Sequence, residues 1–333
     1  MRKIYVLFSL LLLSCMAWAQ SEARISGKLT EVKTDTVKIV IFEDLISHRK
    51  KTGFGLVSEN QEFECSIPLT SPRWAYLLFN QRQRRVYLTP GDEMSAMLDS
   101  NKVAFQGEGS EINNFLAAYD DKYESVAFHK SIQEKIKTLS ATDYRAFQDK
   151  LKSEKLAYIE SNPFRKYLSA PFVSFLQAEI IYSHASALID YPNDHAHLTQ
   201  TPPVKDLPAG YFNFMTDIKV LNEDALNQVS VAYFNFLRYD YITYEARLQS
   251  HDFKHDNEQF FANQYEFVKN SMKSIKDRFL YFTLAGILYS GLNYGNVNTI
   301  ENSYTDFVKT NPFKEYADLL AGPYQTAKAK TNK

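Results

Sequence analysis

The sequence predicts an α+β multidomain protein: an N-terminal antiparallel β-sandwich or barrel-like module followed by an all-α helical array. Two patterns and the point where they meet carry that prediction. Up to Gly107 the chain is a series of short runs rich in β-branched and aromatic residues, each bounded by turn residues. Beyond Gly109 apolar residues recur every three or four positions. The period changes at Gly107-Glu108-Gly109, so the expected organisation is an export signal over 1–19, a β-sandwich-like domain over 20–108 and a helical domain over 109–333.

In chain order, strands are expected at Ala23–Leu29, Thr36–Phe42, Glu62–Ile67, Trp74–Phe79, Arg84–Leu88, Met94–Leu98 and Val103–Phe105. Thr34-Asp35, Pro72, Pro90-Gly91-Asp92 and Ser100-Asn101 supply turn chemistry between them. Alternation in Phe63-Glu64-Cys65-Ser66-Ile67 puts Phe63, Cys65 and Ile67 on one face. Arg82, Arg84 and Arg85 form the densest basic spot and are expected on the solvent face of a strand or its turn.

Helices follow. Ser110 is expected to cap a helix whose apolar stripe is Ile112, Phe115, Leu116 and Tyr119, with Asn113 where a capping box would hold Glu or Gln. Phe234, Leu237, Tyr241, Tyr244 and Leu248 form a second stripe. A third runs through Phe261, Tyr265, Val268, Met272, Ile275, Phe279 and Phe282 to Gly286, as one helix or as two broken inside it. Asn162-Pro163-Phe164 and Asn311-Pro312-Phe313 read as two similar helix starts, with Asn capping and Pro in the first turn. The polar stretch Asp190–Gly210, holding Pro192, Pro202, Pro203 and Pro208, reads as the longest loop of the helical part.

The N-terminus has the form of an export signal. Arg2 and Lys3 precede the apolar run Ile4–Leu13, and Ala17-Trp18-Ala19 places small residues where signal peptidase reads, predicting cleavage between Ala19 and Gln20. A competing reading takes Leu12-Leu13-Ser14-Cys15 as a lipobox with Cys15 acylated; the Ala-x-Ala match outranks it. No later stretch is expected to span a bilayer. Loss of Arg2 and Lys3 with the leader takes the net charge from −1 to −3. That near-neutral balance lacks the basic footprint of a nucleic-acid binder. Localisation to the periplasm or cell envelope follows.

Four segments carry a family likeness: Ile25-Ser26-Gly27-Lys28-Leu29, Phe63-Glu64-Cys65-Ser66-Ile67-Pro68-Leu69, Leu88-Thr89-Pro90-Gly91-Asp92 and Phe105-Gln106-Gly107-Glu108-Gly109-Ser110-Glu111-Ile112-Asn113-Asn114-Phe115-Leu116. Over about residues 23 to 118 they resemble the accessory domain that precedes the thioredoxin-like domain in periplasmic TlpA/ResA-type thiol-disulfide oxidoreductases of Bacteroidota. The likeness continues more weakly, through helical character and the Asn-Pro-Phe phrases, to about residue 320. In that family a redox domain with a Cys-x-x-Cys follows. This sequence holds two cysteines, Cys15 and Cys65, and no Cys-x-x-Cys, so no redox residue carries over. The resemblance implies a scaffold or client-recognition role, with a separate thioredoxin-like envelope protein as the expected partner and no cofactor.

Individual side chains were weighed for chemistry. Cys65 reads first as a small buried hydrophobe. His195 and His197, with Asp194 nearby, and His251 with His255, Asp252 and Asp256, are weak metal candidates whose spacings are common in water-loving loops. His184, on the stripe Phe172, Leu176, Ile180, reads as a hydrogen-bonded core histidine. Trp74 and Tyr76 share a strand face and, with Phe313 and Tyr316, are candidate partner-binding aromatics; core packing competes for all four. G-x-S-x-G, H-E-x-x-H, phosphate-loop and dinucleotide fingerprints are absent from the sequence. The expectation is an exported, non-catalytic binding or scaffold protein. A partner subunit in thiol-disulfide metabolism and a hydrolase with scattered carboxylates are the alternatives.

Overall fold

The computed structural model describes residues 21–31, 33–99, 102–204, 207–251, 253 and 258–331. The expected signal and its cleavage site, Ala19 and Gln20, lie outside these residues, as do Cys15 and His255. The chain divides into two compact units, and each is described by itself.

Unit 1 comprises residues up to Ile41, Lys50–Ser125 and Lys166–Ser169. Its strands are β1 (Ser21–Leu29), β2 (Thr36–Phe42), β3 (Lys50–Leu56), β4 (Glu62–Leu69), β5 (Arg73–Phe79), β6 (Arg82–Leu88), β7 (Glu93–Leu98) and β8 (Val103–Gly107). They form two four-stranded sheets of order β4-β1-β7-β8 and β3-β2-β5-β6. Inward side chains of both sheets, among them Ile25, Val37, Ile39, Phe63, Cys65, Ile67, Leu77, Val86 and Leu98, make one apolar core. Alternation is what achieves this: period two puts every second residue on the core face.

The expected fold class is found, with two open four-stranded sheets rather than a closed barrel and two departures in detail. β1 pairs in parallel with β7, so that sheet is mixed, and neither sheet closes into a barrel. Pairing direction is set by how distant segments meet, which local alternation does not encode. In addition, β3 was not expected. Its Lys50-Lys51-Thr52-Gly53-Phe54-Gly55-Leu56 is poor in strand formers, and the glycines have a packing cause: a Cβ on Gly53 would lie 2.0 Å from the Ser66 carbonyl oxygen of β4.

The first helix, α1 (Ser110–Tyr123), belongs to this unit, so the compact unit runs past the change of period at Gly109 to Ser125. Its N-cap is Gly109, in the left-handed region, rather than Ser110, which is buried in the first turn. Asn113 makes no capping box. Its amide accepts from the Tyr87 backbone N–H (2.8 Å) and donates to the Tyr87 carbonyl (3.0 Å) on β6. Asn114 does the same to Phe105 on β8, at 2.9 and 2.8 Å. β6 and β8 are edge strands of different sheets. One helix turn thus pairs with the exposed edges of both sheets, which would otherwise be templates for aggregation. Arg84 and Arg85, expected on a solvated face, pair with Asp121 and Asp120 of α1, and Arg85 also lies 5.0 Å from the Trp74 ring centroid.

Unit 2 holds Phe42–Arg49, Val126–Arg165 and Ala170 onward. Its described helices are α2 (Val126–Thr138), α3 (Ala141–Ser161), α4 (Ala170–Thr199), α5 (Glu223–Asn227), α6 (Val231–Asn235), α7 (Tyr241–Leu248), α8 (Phe260–Ser271), α9 (Asp277–Tyr294), α10 (Val297–Thr310) and α11 (Lys314–Thr331). A π-helical turn, Phe236–Asp240, joins α6 to α7. The seam Phe234, Leu237 and Tyr241 is buried in the apolar core with Tyr265, Val268, Phe279 and Phe282.

Two helical expectations change, and one left open between two forms is decided. Residues 190–199 are helical, extending α4 through Pro192, so the connection that reads as a loop starts at Gln200. The third stripe is two helices, α8 and α9, and α9 continues beyond Gly286 to Tyr294. α4 is also long and apolar enough to cross a membrane by length and composition, with a mean hydropathy of 1.2; 61% of that window is buried inside the fold, as for a core helix. The two Asn-Pro phrases act alike. Asn162 and Asn311 end α3 and α10 in extended backbone, as a residue before proline must, and their side chains accept from Phe164 N (2.9 Å) and Phe313 N (3.0 Å).

Candidate functional site

A concentration of titratable groups in the helical unit lies where α4 meets the π turn and α7. Ser186, Asp190 and Asp194 are four apart on α4 and so line one face. Asp240 ends the π turn and Arg247 sits near the end of α7. Asp240 is buried, Asp190 half-buried and Asp194 exposed, so the row runs from the core to the surface.

Burial is the main cause that raises the Asp190 carboxyl well above the carboxylate range, and the charges of Asp240 and Asp194 add to it. Burial likewise raises Asp240, while Ser186 and Asp190, within reach of it, oppose the rise. Asp240 Oδ2 and Ser186 Oγ are buried without a well-directed hydrogen bond. Arg247 favours ionisation of Asp190, and its own Nη1 is buried with no acceptor. Both carboxyls are thus pushed toward the protonated form, because adjacent buried charges are mutually destabilising. A protonated acid beside an ionised carboxylate is the pairing that general acid–base chemistry uses.

Sequence reading missed this cluster because 190–199 resembled a proline-bearing loop and because α6 and α7 are joined by a π turn. That turn widens the backbone ring by one residue and shifts which side chains face inward. The one available signal was the four-residue spacing of Ser186, Asp190 and Asp194.

The residues singled out beforehand lie elsewhere. His195 Nδ1 is 2.7 Å from the Ile136 carbonyl oxygen, and its ring lies against Tyr191, centroids 5.4 Å apart. His197 is exposed in the last turn of α4. His251 stacks on Phe267 at 5.0 Å. Among the described residues no group of three or more His, Cys, Asp or Glu side chains could hold a metal ion. His184 is buried, with Nε2 2.8 Å from Asp149 Oδ1, and burial lowers its pKa. Burial raises the pKa of the Cys65 thiol. Trp74 and Tyr76 are half-buried on the outer face of β5, where the Trp74 ring meets Tyr87 edge-on at 6.0 Å. Tyr316 is 6% exposed and Phe313 half-buried; they pack on Phe282 and Tyr281 at 6.1 and 5.9 Å.

Comparison with protein-family models, curated proteins and solved structures finds no match.

One hollow lies near these residues. It encloses about 450 Å³ and is lined by Leu139, Ser140, Tyr191, His195, Val204 and Pro208. His195 borders it, with Nδ1 2.7 Å from the Ile136 carbonyl oxygen.

Proposed function

We propose that the protein is an exported, non-catalytic binding or scaffold protein of the cell envelope, related to the accessory region of thiol-disulfide oxidoreductases. The observation that carries this reading is how the resemblance segments are used. Cys65 is a core residue. Asp92 Oδ2 accepts from Thr89 N at 2.7 Å to close its own turn. Asn113 and Asn114 hold the edges of two sheets. These residues serve the packing and edge contacts of the β unit, as a platform requires.

The partner that suits such a platform is a separate thioredoxin-like envelope protein. Capture from native envelopes with the full-length protein, followed by mass spectrometry, tests this. Specific recovery of a Cys-x-x-Cys protein is the expected result, and recovery of none would sink the partner reading. Intact mass of the exported protein tests its processing: it should begin at Gln20 without lipid, and an acylated species beginning at Cys15 would replace that reading.

A second reading, a hydrolase, is favoured by the Asp190–Asp240 pair alone. It requires that Asp240→Asn and Asp190→Asn each abolish a hydrolytic activity of the purified protein while leaving its fold intact.

A further inference from the structure

Arg238 is among the largest fully buried side chains of the described residues, with 1% of its surface exposed. Its Nε and Nη1 are buried and have no hydrogen-bond partner. Burial lowers its pKa to about 10, which leaves the guanidinium charged at neutral pH. The acid nearest in sequence is Asp240, whose pKa is raised by burial and lowered by Ser186 and Asp190. Among the described residues no ion pair reaches Arg238. What faces it is the Tyr239 ring, 4.7 Å from the guanidinium carbon. A ring face offsets only a small part of the cost of burying an ion, whereas a paired oxyanion offsets most of it.

The fold makes room for this side chain. Gly286 of α9 lies against it, and a Cβ there would come within 2.9 Å of Arg238 Cδ. The π turn supplies the backbone that turns Arg238 inward while its neighbour Tyr239 remains 44% exposed. The guanidinium thus lies against a ring that is itself partly exposed. Two of its N–H groups, Nε–H and Nη1–H, are buried without acceptors, with Gly286 against the aliphatic stem and the Tyr239 ring against the guanidinium.

We propose that Arg238 is the receptor for a small oxyanion ligand, carboxylate or phosphate, which enters beside the Tyr239 ring and accepts from Nε–H and Nη1–H. A planar guanidinium suits this because its fork matches such groups in pairs of hydrogen bonds. The inference is independent of the envelope reading: it specifies the charge and shape of a ligand wherever the protein acts.

The test is thermal unfolding of the full-length protein in sodium chloride, sodium acetate and sodium phosphate at matched ionic strength, alongside Arg238→Met, which keeps the length and removes the charge. Wild type should gain Tm saturably in acetate or phosphate relative to chloride, by roughly 2–5 °C. The oxyanion with the lower half-saturation identifies the ligand group. Arg238→Met should show no saturable gain. Identical behaviour of wild type in all three salts, or the same gain in the variant through general salt effects, would overturn the proposal. Should Arg238→Met fail to fold, the ¹⁵N resonance of Arg238 Nε in the wild-type protein decides. It should move saturably with added acetate or phosphate, and a resonance that stays still rejects the site.

Discussion

Asn113 and Tyr87 are joined as two strands would be: the side-chain amide of one takes both the backbone N–H (2.8 Å) and the carbonyl (3.0 Å) of the other. Asn113 is 0% exposed, so neither backbone group has water as a substitute. A helix is thereby fastened to the edge of a sheet through one residue, and the adjacent Asn114 repeats the contact on the other sheet. This latch is the reason the β unit continues beyond the last strand.

Asn113→Ala should cost about 2–4 kcal/mol, since it orphans two buried backbone groups. Asn114→Ala, at a part-buried site, should cost about 1 kcal/mol. Denaturant unfolding of the full-length variants measures both. Equal, small losses would show that α1 is held by its apolar face alone.

The Asp190–Asp240 pair makes a signed statement about pH. Both folded-state pKa values are raised by burial, so between the unfolded carboxyl value near 4 and the raised values the native state binds more protons than the unfolded one. Stability from this pair is therefore present at low pH and lost as pH rises through the folded values. Asp240→Asn, neutral at all pH, should have a higher Tm than wild type at pH 8 and lose that advantage by pH 4.5. An advantage that grows on acidification would refute the raised pKa values.

Cys65 lies in the core of the β unit with its pKa raised by burial, so the native thiol should resist alkylation. Mass spectrometry after a pulse of maleimide should find it unmodified under native conditions and labelled in denaturant. Insulin reduction should not be catalysed, because Cys65 belongs to no Cys-x-x-Cys that could resolve a mixed disulfide. Turnover that disappears in Cys65→Ser would restore a redox role.

The two Asn-Pro-Phe phrases should respond differently to truncation despite their shared turn. Tyr316 is 6% exposed, whereas Phe164 is 41% exposed. Tyr316→Ala is expected to cost about 3–5 kcal/mol and Phe164→Ala within about 0.5 kcal/mol. Comparable losses at both positions would mean that Phe164 is buried in solution.

The sequence by itself determined the order of the two structural types, the inward faces of the strands and the apolar seams of the helices. Periodicity is a local property, and Phe63, Cys65 and Ile67, or Phe234, Leu237 and Tyr241, declare their face through spacing alone. Tertiary structure decided whatever depends on a distant neighbour. It made a strand of the glycine-bearing Lys50–Leu56 segment, because the β4 backbone passes where side chains would stand. It gave Asn113, which stands where a capping box would hold Glu or Gln, a bond to β6 and carried α4 through Pro192. The candidate site belongs to the same category. Asp190 and Asp240 are fifty residues apart in the sequence, and Arg238 and Gly286 nearly as far; only the packing of α4, the π turn and α9 brings the first pair of charges together and gives the buried guanidinium its room.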